Sequence, residues 1–439
     1  MCATARAVSV YIRRCAATCA RCAFLCQCLG SNTLISQRKR EHPVRTEGEA
    51  TSNDVAIALF VPSLVGGGAE RVMVTLANGF AEQGWRVDLV VVVAAGAYLA
   101  DVSPRVRLVE LGASRMFFSL PALVRYLRRE RPRVLLSALN YANVVALWAN
   151  RLARVKTRLV VSQHNSVTRG MRSEPTIRSW LIPLLMRHSY PWASGIVAVS
   201  NGVAEDLARS LSLPRERIDV IYNPAVTERL RQLSTLSLAH PWLAPGEPPV
   251  ILAVGRLTAQ KDYPTLIHAF VALRAQRNAR LVILGEGELR ENLEAMVARL
   301  GMTDDIAFPG FVANPYAWMR QAKLFVLSSA WEGFGNVLAE AMACGTPVIS
   351  TDCPSGPAEI LENGTWGRLV PVADVEALRV AMCEELDGER RTDVIQRAQH
   401  FGLEEALKAY LCVMQASSSD IPNAGYDAIE VRDETTDTH

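Results

Sequence analysis

LFVLSSAWEGFGNVLAEAMACGTPVIS, Leu324 to Ser350, reads as strand, glycine turn, helix, strand. Leu324–Ser328 is an apolar run with no alternation, the pattern of a strand buried on both faces. Gly333 and Gly335 turn the chain, a helix starts near Asn336, and Pro347–Ser350 is a second buried strand. Two buried strands joined through a helix make a parallel crossover, so the stretch predicts an α/β unit covered by helices on both sides. Glu332 precedes the helix and Glu340 lies inside it, eight residues on. At helical rise that is about 12 Å, a little over two turns. The N–H groups at a helix start form an anion site, here with a carboxylate at either end.

The same grammar repeats outward. From Asp54, strand candidates are Val55–Val61, Val87–Val93, Val106–Leu111, Val134–Leu139, Arg158–Gln163, Ile196–Ser200 and Val220–Tyr222. Helices alternate with them at Ala69–Gln83, Leu120–Arg131, Asn143–Arg154, Thr176–Ser189 and Val203–Leu211. Prolines at 241, 245, 248 and 249 mark 226–249 as a linker or a domain entry. A second alternation runs from Val250–Val254 through Leu281–Leu284, Ile306–Phe308, Leu324–Leu327, Val348–Ser350 and Arg368–Val370. The expected organisation is two doubly wound, Rossmann-like domains, 54–225 and 226–400, facing each other across a cleft, with a closing helix at 401–416. Ligands in such sheets sit beyond the carboxyl ends of the strands.

The termini differ in kind. Six of the ten cysteines fall in the first 28 residues, and 1–53 is expected to be a disordered leader. Cys19 and Cys22 form a C-x-x-C, but no histidine or second C-x-x-C lies at zinc spacing, so no metal site is expected. Residues 417–439 form an acidic, disordered tail. A net charge of +3 over 439 residues argues against nucleic acid as a partner. The scattered remaining cysteines suggest a reduced, cytoplasmic setting, and no apolar run reaches the length of a membrane span.

The residues with chemistry follow strands. Gly66-Gly-Gly-Ala-Glu70 joins the first strand to the first helix, with Arg71 where a dinucleotide fingerprint has its third glycine. Gly67 and Gly68 can let backbone N–H groups approach a phosphate. His164 ends the strand Arg158–Gln163, where an imidazole facing the cleft could meet a sugar hydroxyl or handle a proton. Gly255-Arg-Leu-Thr-Ala-Gln-Lys-Asp262 puts Arg256 and Lys261 on one loop, suited to a diphosphate. Gly285–Glu288 and Ser355–Glu359 are further strand-end turns. Together with Glu332 and Glu340 these groups match the layout of a nucleotide sugar: sugar, diphosphate, ribose. Two basic, apolar stretches, Arg115–Arg133 and Arg169–Trp192, have the composition of a face that lies on anionic lipid, though ordinary packed helices share it.

E-G-F-G-N-V-L-A-E-A-M-A-C-G-T-P-V-I-S, G-R-L-T-A-Q-K-D, G-G-G-A-E-R and V-A-V-S-N-G-V resemble glycosyltransferase family 4, retaining nucleotide-sugar enzymes of the GT-B fold, over about residues 54–415. The resemblance implies that Glu340 binds the ribose hydroxyls and that Glu332 lies beside the transferred sugar. Gly333, Phe334, Gly335 and Asn336 would line sugar and phosphate, and Arg256 and Lys261 would grip the diphosphate. The base would sit near Phe311 and Val312, with His164, Gly67 and Gly68 near the reaction centre. It implies no cofactor and no metal, in keeping with the lack of a D-x-D at a strand end. The expected activity is transfer of a hexose or N-acetylhexosamine, from a UDP-linked donor, to a lipid-linked or polysaccharide acceptor at the cytoplasmic membrane face. The alternatives are a soluble acceptor, or a protein that binds nucleotide sugar without turnover.

Overall fold

The computed structural model describes residues 56–168, 177–388 and 393–414. The Cys-rich leader, the acidic tail and the Arg169–Thr176 part of the second basic stretch lie outside them. Among the described residues, thirteen short segments pair as two parallel sheets. The first holds β1 (Ile57–Val61), β2 (Val87–Val91), β3 (Arg107–Glu110), β4 (Val134–Ala138), β5 (Arg158–Gln163), β6 (Gly195–Ala198) and β7 (Ile218–Val220), in the order β3-β2-β1-β4-β5-β6-β7. The second holds β8 (Val250–Val254), β9 (Arg280–Leu284), β10 (Ile306–Gly310), β11 (Leu324–Leu327), β12 (Val348–Thr351) and β13 (Arg368–Val370), in the order β10-β9-β8-β11-β12-β13. β1, β2, β4 and β11 are buried throughout, because helices cover both faces of each sheet. The edge strand β3 is largely exposed and correspondingly charged.

In both sheets the order in which the chain lays down its parallel strands reverses at one point: β1 pairs with β4 (Ile57 beside Val134), and β8 with β11 (Leu324 beside Ile251). At such a switch point the two following loops diverge and leave a crevice. The Gly66–Gly68 turn follows β1. The Arg256–Lys261 loop follows β8 and the Glu332–Asn336 turn follows β11, so segments about seventy residues apart emerge side by side.

Some expectations need correcting. The 226–249 linker contains the helix Glu228–Ser234, which Thr227 caps by accepting the Leu230 N–H. The helix Pro315–Gln321 was not foreseen; it starts with Asn314 capping Ala317 N–H and has Pro at its first turn. β7 lies two residues earlier than expected and ends at Val220, freeing Tyr222 from the sheet. The helix after β11 spans only Asn336–Ala343, so Glu332–Gly335 is a turn and helical rise does not measure the separation of the two carboxylates.

The closing helix, Leu403–Met414, returns to the first domain. Its Leu407, Tyr410 and Met414 are buried in one core with β1, β2 and the helix Gly68–Glu82. The chain therefore passes between the domains twice. The two passages touch: Val226 N donates to Phe401 O and Leu403 N to Val226 O, a parallel bridge between Val226 and Gly402.

Candidate active site

The loops after β8 and β11 knit together first. Ala330 N donates to Gln260 O, Ser328 Oγ to Lys261 O, and Gln260 Nε2 to Trp331 O. This brings Lys261 Nζ to 2.5 Å from Glu332 Oε1, which also accepts from Ser329 Oγ at 2.6 Å. Both side chains are largely buried, so the pair is weakly screened. Arg256, on the same loop, is exposed and makes no side-chain ion pair among the described residues. Cys353 lies close by; burial and the negative charge of Glu332 push its thiol up to about 12, so it stays protonated at neutral pH.

The turn that follows presents donors. Gly335, with φ of +98°, starts the helix Asn336–Ala343 in the left-handed region that glycine tolerates. The N–H groups of Phe334, Gly335 and Asn336 donate to no protein acceptor among the described residues. The opposite wall comes from the first domain. A Cβ on Gly68 would stand 3.5 Å from Asn336 Nδ2, so the start of the helix Gly68–Glu82 faces the start of the helix Asn336–Ala343. Two helix N-termini meeting across a crevice reinforce one another as an anion site. At its rim the Glu70 carboxylate folds back over Gly67, where a Cβ would fall within 2.0 Å of Glu70 Oε2.

Glu340 lies one helical turn deeper and is 1% exposed. The Arg71 guanidinium, from the first domain, forms an ion pair with its Oε1. Its Oε2 receives no hydrogen bond from the described protein groups. Arg71, Asn336, Glu340 and Tyr316 line one cavity of about 280 Å³. Val312 is half-buried and packs at the core's edge, and Phe311 is exposed.

His164 departs from the expected open position. It is 6% exposed, with Nε2 3.1 Å from Ser162 Oγ, which in turn lies 3.1 Å from the Tyr410 hydroxyl. Burial lowers its pKa to about 4, so the ring is neutral near pH 7. Its main chain does reach the site: a Cβ on Gly333 would lie 1.8 Å from His164 O, so only glycine fits there.

Several site-forming residues escaped the sequence reading. Ser200, buried, donates to Gly333 O at 2.7 Å. Asn223 Nδ2 donates to Asn336 Oδ1 at 2.9 Å, and the Tyr222 ring stacks on Phe334. Glu359 accepts from Asn201 N (2.9 Å), Gly202 N (3.0 Å), Asn201 Nδ2 (3.0 Å) and the Tyr222 hydroxyl (3.2 Å). Ser200 was legible as a cap before a helix, and Glu359 as the end of a strand-end turn. Nothing in the sequence said that they reach across to the other domain.

Residues 66–229 match the family described as Glycosyltransferase Family 4, and residues 238–401 match Glycosyl transferases group 1. An N-acetylgalactosaminyltransferase of Campylobacter jejuni, named as acting on N-acetylgalactosamine-N,N'-diacetylbacillosaminyl-diphospho-undecaprenol, is 34% identical over 53% of this chain. That match spans 61% of the relative's own length. The lipopolysaccharide core biosynthesis glycosyltransferase LpsE of Rhizobium meliloti is 29% identical over 79% of this chain and 95% of its own. Among solved structures, Anabaena HepE in complex with UDP and glucose superposes with a TM-score of 0.68 at 20% identity, covering 83% of this chain and all of the other. With both halves matched, the two parallel sheets in place and the E-x(7)-E turn set against the Arg–Lys loop, the chain belongs to glycosyltransferase family 4, transferase enzymes of the GT-B fold.

Proposed function

We propose that this enzyme is a retaining transferase that moves a hexose or N-acetylhexosamine from a UDP-linked donor to a lipid-linked or polysaccharide acceptor. One observation carries the reading: unbonded N–H groups at the Asn336 helix start lie between the Lys261–Glu332 pair and the buried Glu340. That array offers a place for diphosphate between one carboxylate for ribose hydroxyls and another for the sugar. Relatives support the acceptor class through their names, which specify undecaprenol-linked glycans and lipopolysaccharide core. HepE, with UDP and glucose, supports the donor class.

In the proposed reaction the C1–O bond to the diphosphate lengthens first, leaving an oxocarbenium-like sugar. Arg256, Lys261 and the helix-start N–H groups stabilise charge on the departing diphosphate. The acceptor hydroxyl attacks on the same face, and its proton passes to the leaving phosphate oxygen. Glu332, held by Lys261 and Ser329, fixes a sugar hydroxyl. No metal or cofactor is invoked. A covalent glycosyl-enzyme seen by mass spectrometry of a slowed variant would replace this scheme with double displacement.

The acceptor side is proposed to work at the cytoplasmic membrane face, as a peripheral contact. Among the described residues no helix is long and apolar enough to cross a membrane. Phe117, Phe118, Leu181 and Leu184 are exposed on the first domain, near Arg115 and Arg187. The deciding experiment incubates the full chain with a panel of nucleotide sugars and measures diphosphate release with and without membrane lipid extract. Release that depends on lipid and on one donor supports the reading; no release from any donor overturns it.

A further inference from the structure

Ser200 stands at the junction of β6 and the helix Asn201–Leu211 and is wholly buried. Its hydroxyl has two engagements. It accepts the Val203 N–H at 3.2 Å, capping its own helix, and it donates to Gly333 O at 2.7 Å, in the other domain. The second bond fixes a peptide plane. In a trans peptide the C=O and N–H point opposite ways. With the Gly333 carbonyl drawn toward Ser200, the Phe334 N–H must point away from the first domain's helix. That N–H has no protein acceptor among the described residues and begins the donor array described above. The turn has little rigidity of its own, since Gly333 and Gly335 flank Phe334. Its shape is therefore supplied from outside, by Ser200 and by the His164 main chain pressed on Gly333.

We propose that Ser200 is a positioning residue that makes the shape of the donor turn conditional on domain closure. The assignment rests on the transferase reading above and adds to it. When the domains part, the Ser200–Gly333 bond must break, and the Gly333–Phe334 peptide is free to rotate. Nucleotide can still engage Glu340, Lys261 and Arg256, which all belong to the second domain or its loops. The donor array is complete only when the cleft shuts, which confines cleavage of the donor to the closed state and guards it from water.

The test compares Ser200→Ala and Ser200→Thr in the full chain, each checked by thermal melting. The first measurement is hydrogen exchange of peptides covering residues 331–338, which are mostly buried and meet the first domain through Gly333, Phe334 and Asn336. Exchange in Ser200→Ala should rise at least threefold, while Ser200→Thr should track the parent. The second is kinetic. Ser200→Ala should lower kcat at least tenfold with the Kd for UDP within threefold, and Ser200→Thr should recover most of the loss. Unchanged exchange in Ser200→Ala overturns the proposal, as does a Ser200→Thr variant that melts normally yet is as impaired as Ser200→Ala. The exchange measurement needs no substrate. A parent protein that binds no nucleotide would sink the transferase reading and leave exchange to decide the role of Ser200.

Discussion

A buried carboxylate with one cation and a bare oxygen is costly unless something else completes it, because desolvation penalises the charge. Glu340 is in that position, with Arg71 at Oε1 and, among the described residues, no hydrogen bond to Oε2. Ribose hydroxyls would complete it. Charge-assisted hydrogen bonds contribute about 1.5–3 kcal/mol, so Glu340→Ala should weaken UDP binding by roughly ten- to a hundredfold in calorimetry. Affinity within twofold of the parent would remove the ribose role. Lys261 differs, being already bound to Glu332. Removing it should act on the developing charge, so Lys261→Ala should lower kcat by roughly a hundredfold while donor KM moves little; an unchanged kcat would refute that. His164 supplies a pH test. Its folded pKa of about 4 lies below the ordinary 6.5, so between those values the unfolded chain binds the extra proton. Stability from this group is full above about pH 6.5 and falls as pH drops toward 4, by up to about 3 kcal/mol. Urea unfolding at pH 7 and pH 4.5 should show a smaller acid loss in His164→Asn than in the parent.

The elements that position these residues were mostly legible. β5 spans the expected Arg158–Gln163, and the helices after β1, β6 and β11 begin within two residues of expectation, while the helix after β4, Asn140–Ala153, starts three residues early. Buried parallel strands are continuous apolar runs, which a sequence displays openly. What stayed hidden is pairing between elements far apart in the chain. Glu359 sits on the short helix Pro357–Ile360, yet caps the helix Asn201–Leu211 of the other domain through two backbone N–H groups. A capping carboxylate is usually read from the residue just before its helix, and here it comes from 157 residues away. Glu359→Ala should destabilise the protein by about 2 kcal/mol in denaturant unfolding. It should also raise hydrogen exchange at residues 201–203 and 331–338 together. A change confined to 201–203 would mean that the cap is local and the domains stay shut without it.

On the scale of the whole molecule, the site lies where two switch points face each other, and in the proposed reaction the acceptor enters from the first domain's side. If that side rests on lipid, charge placed there should release it. Phe118→Glu with Leu184→Glu should reduce co-sedimentation with anionic liposomes at least fivefold, while UDP affinity stays within twofold. Equal sedimentation would favour a soluble acceptor. The double passage between domains, with Val226 bonded to both Phe401 and Leu403, has a mechanical consequence. One tether between two bodies permits swivel, tilt and twist. Two tethers fastened to each other leave chiefly one rotation, about a line through the fastening. The contacts of Ser200 with Gly333 and of Asn201 with Glu359 lie close to that line, since Phe401, beside Gly402, packs on both Phe334 and Tyr222. Opening is then a single coordinate, and it strains these contacts together rather than one by one.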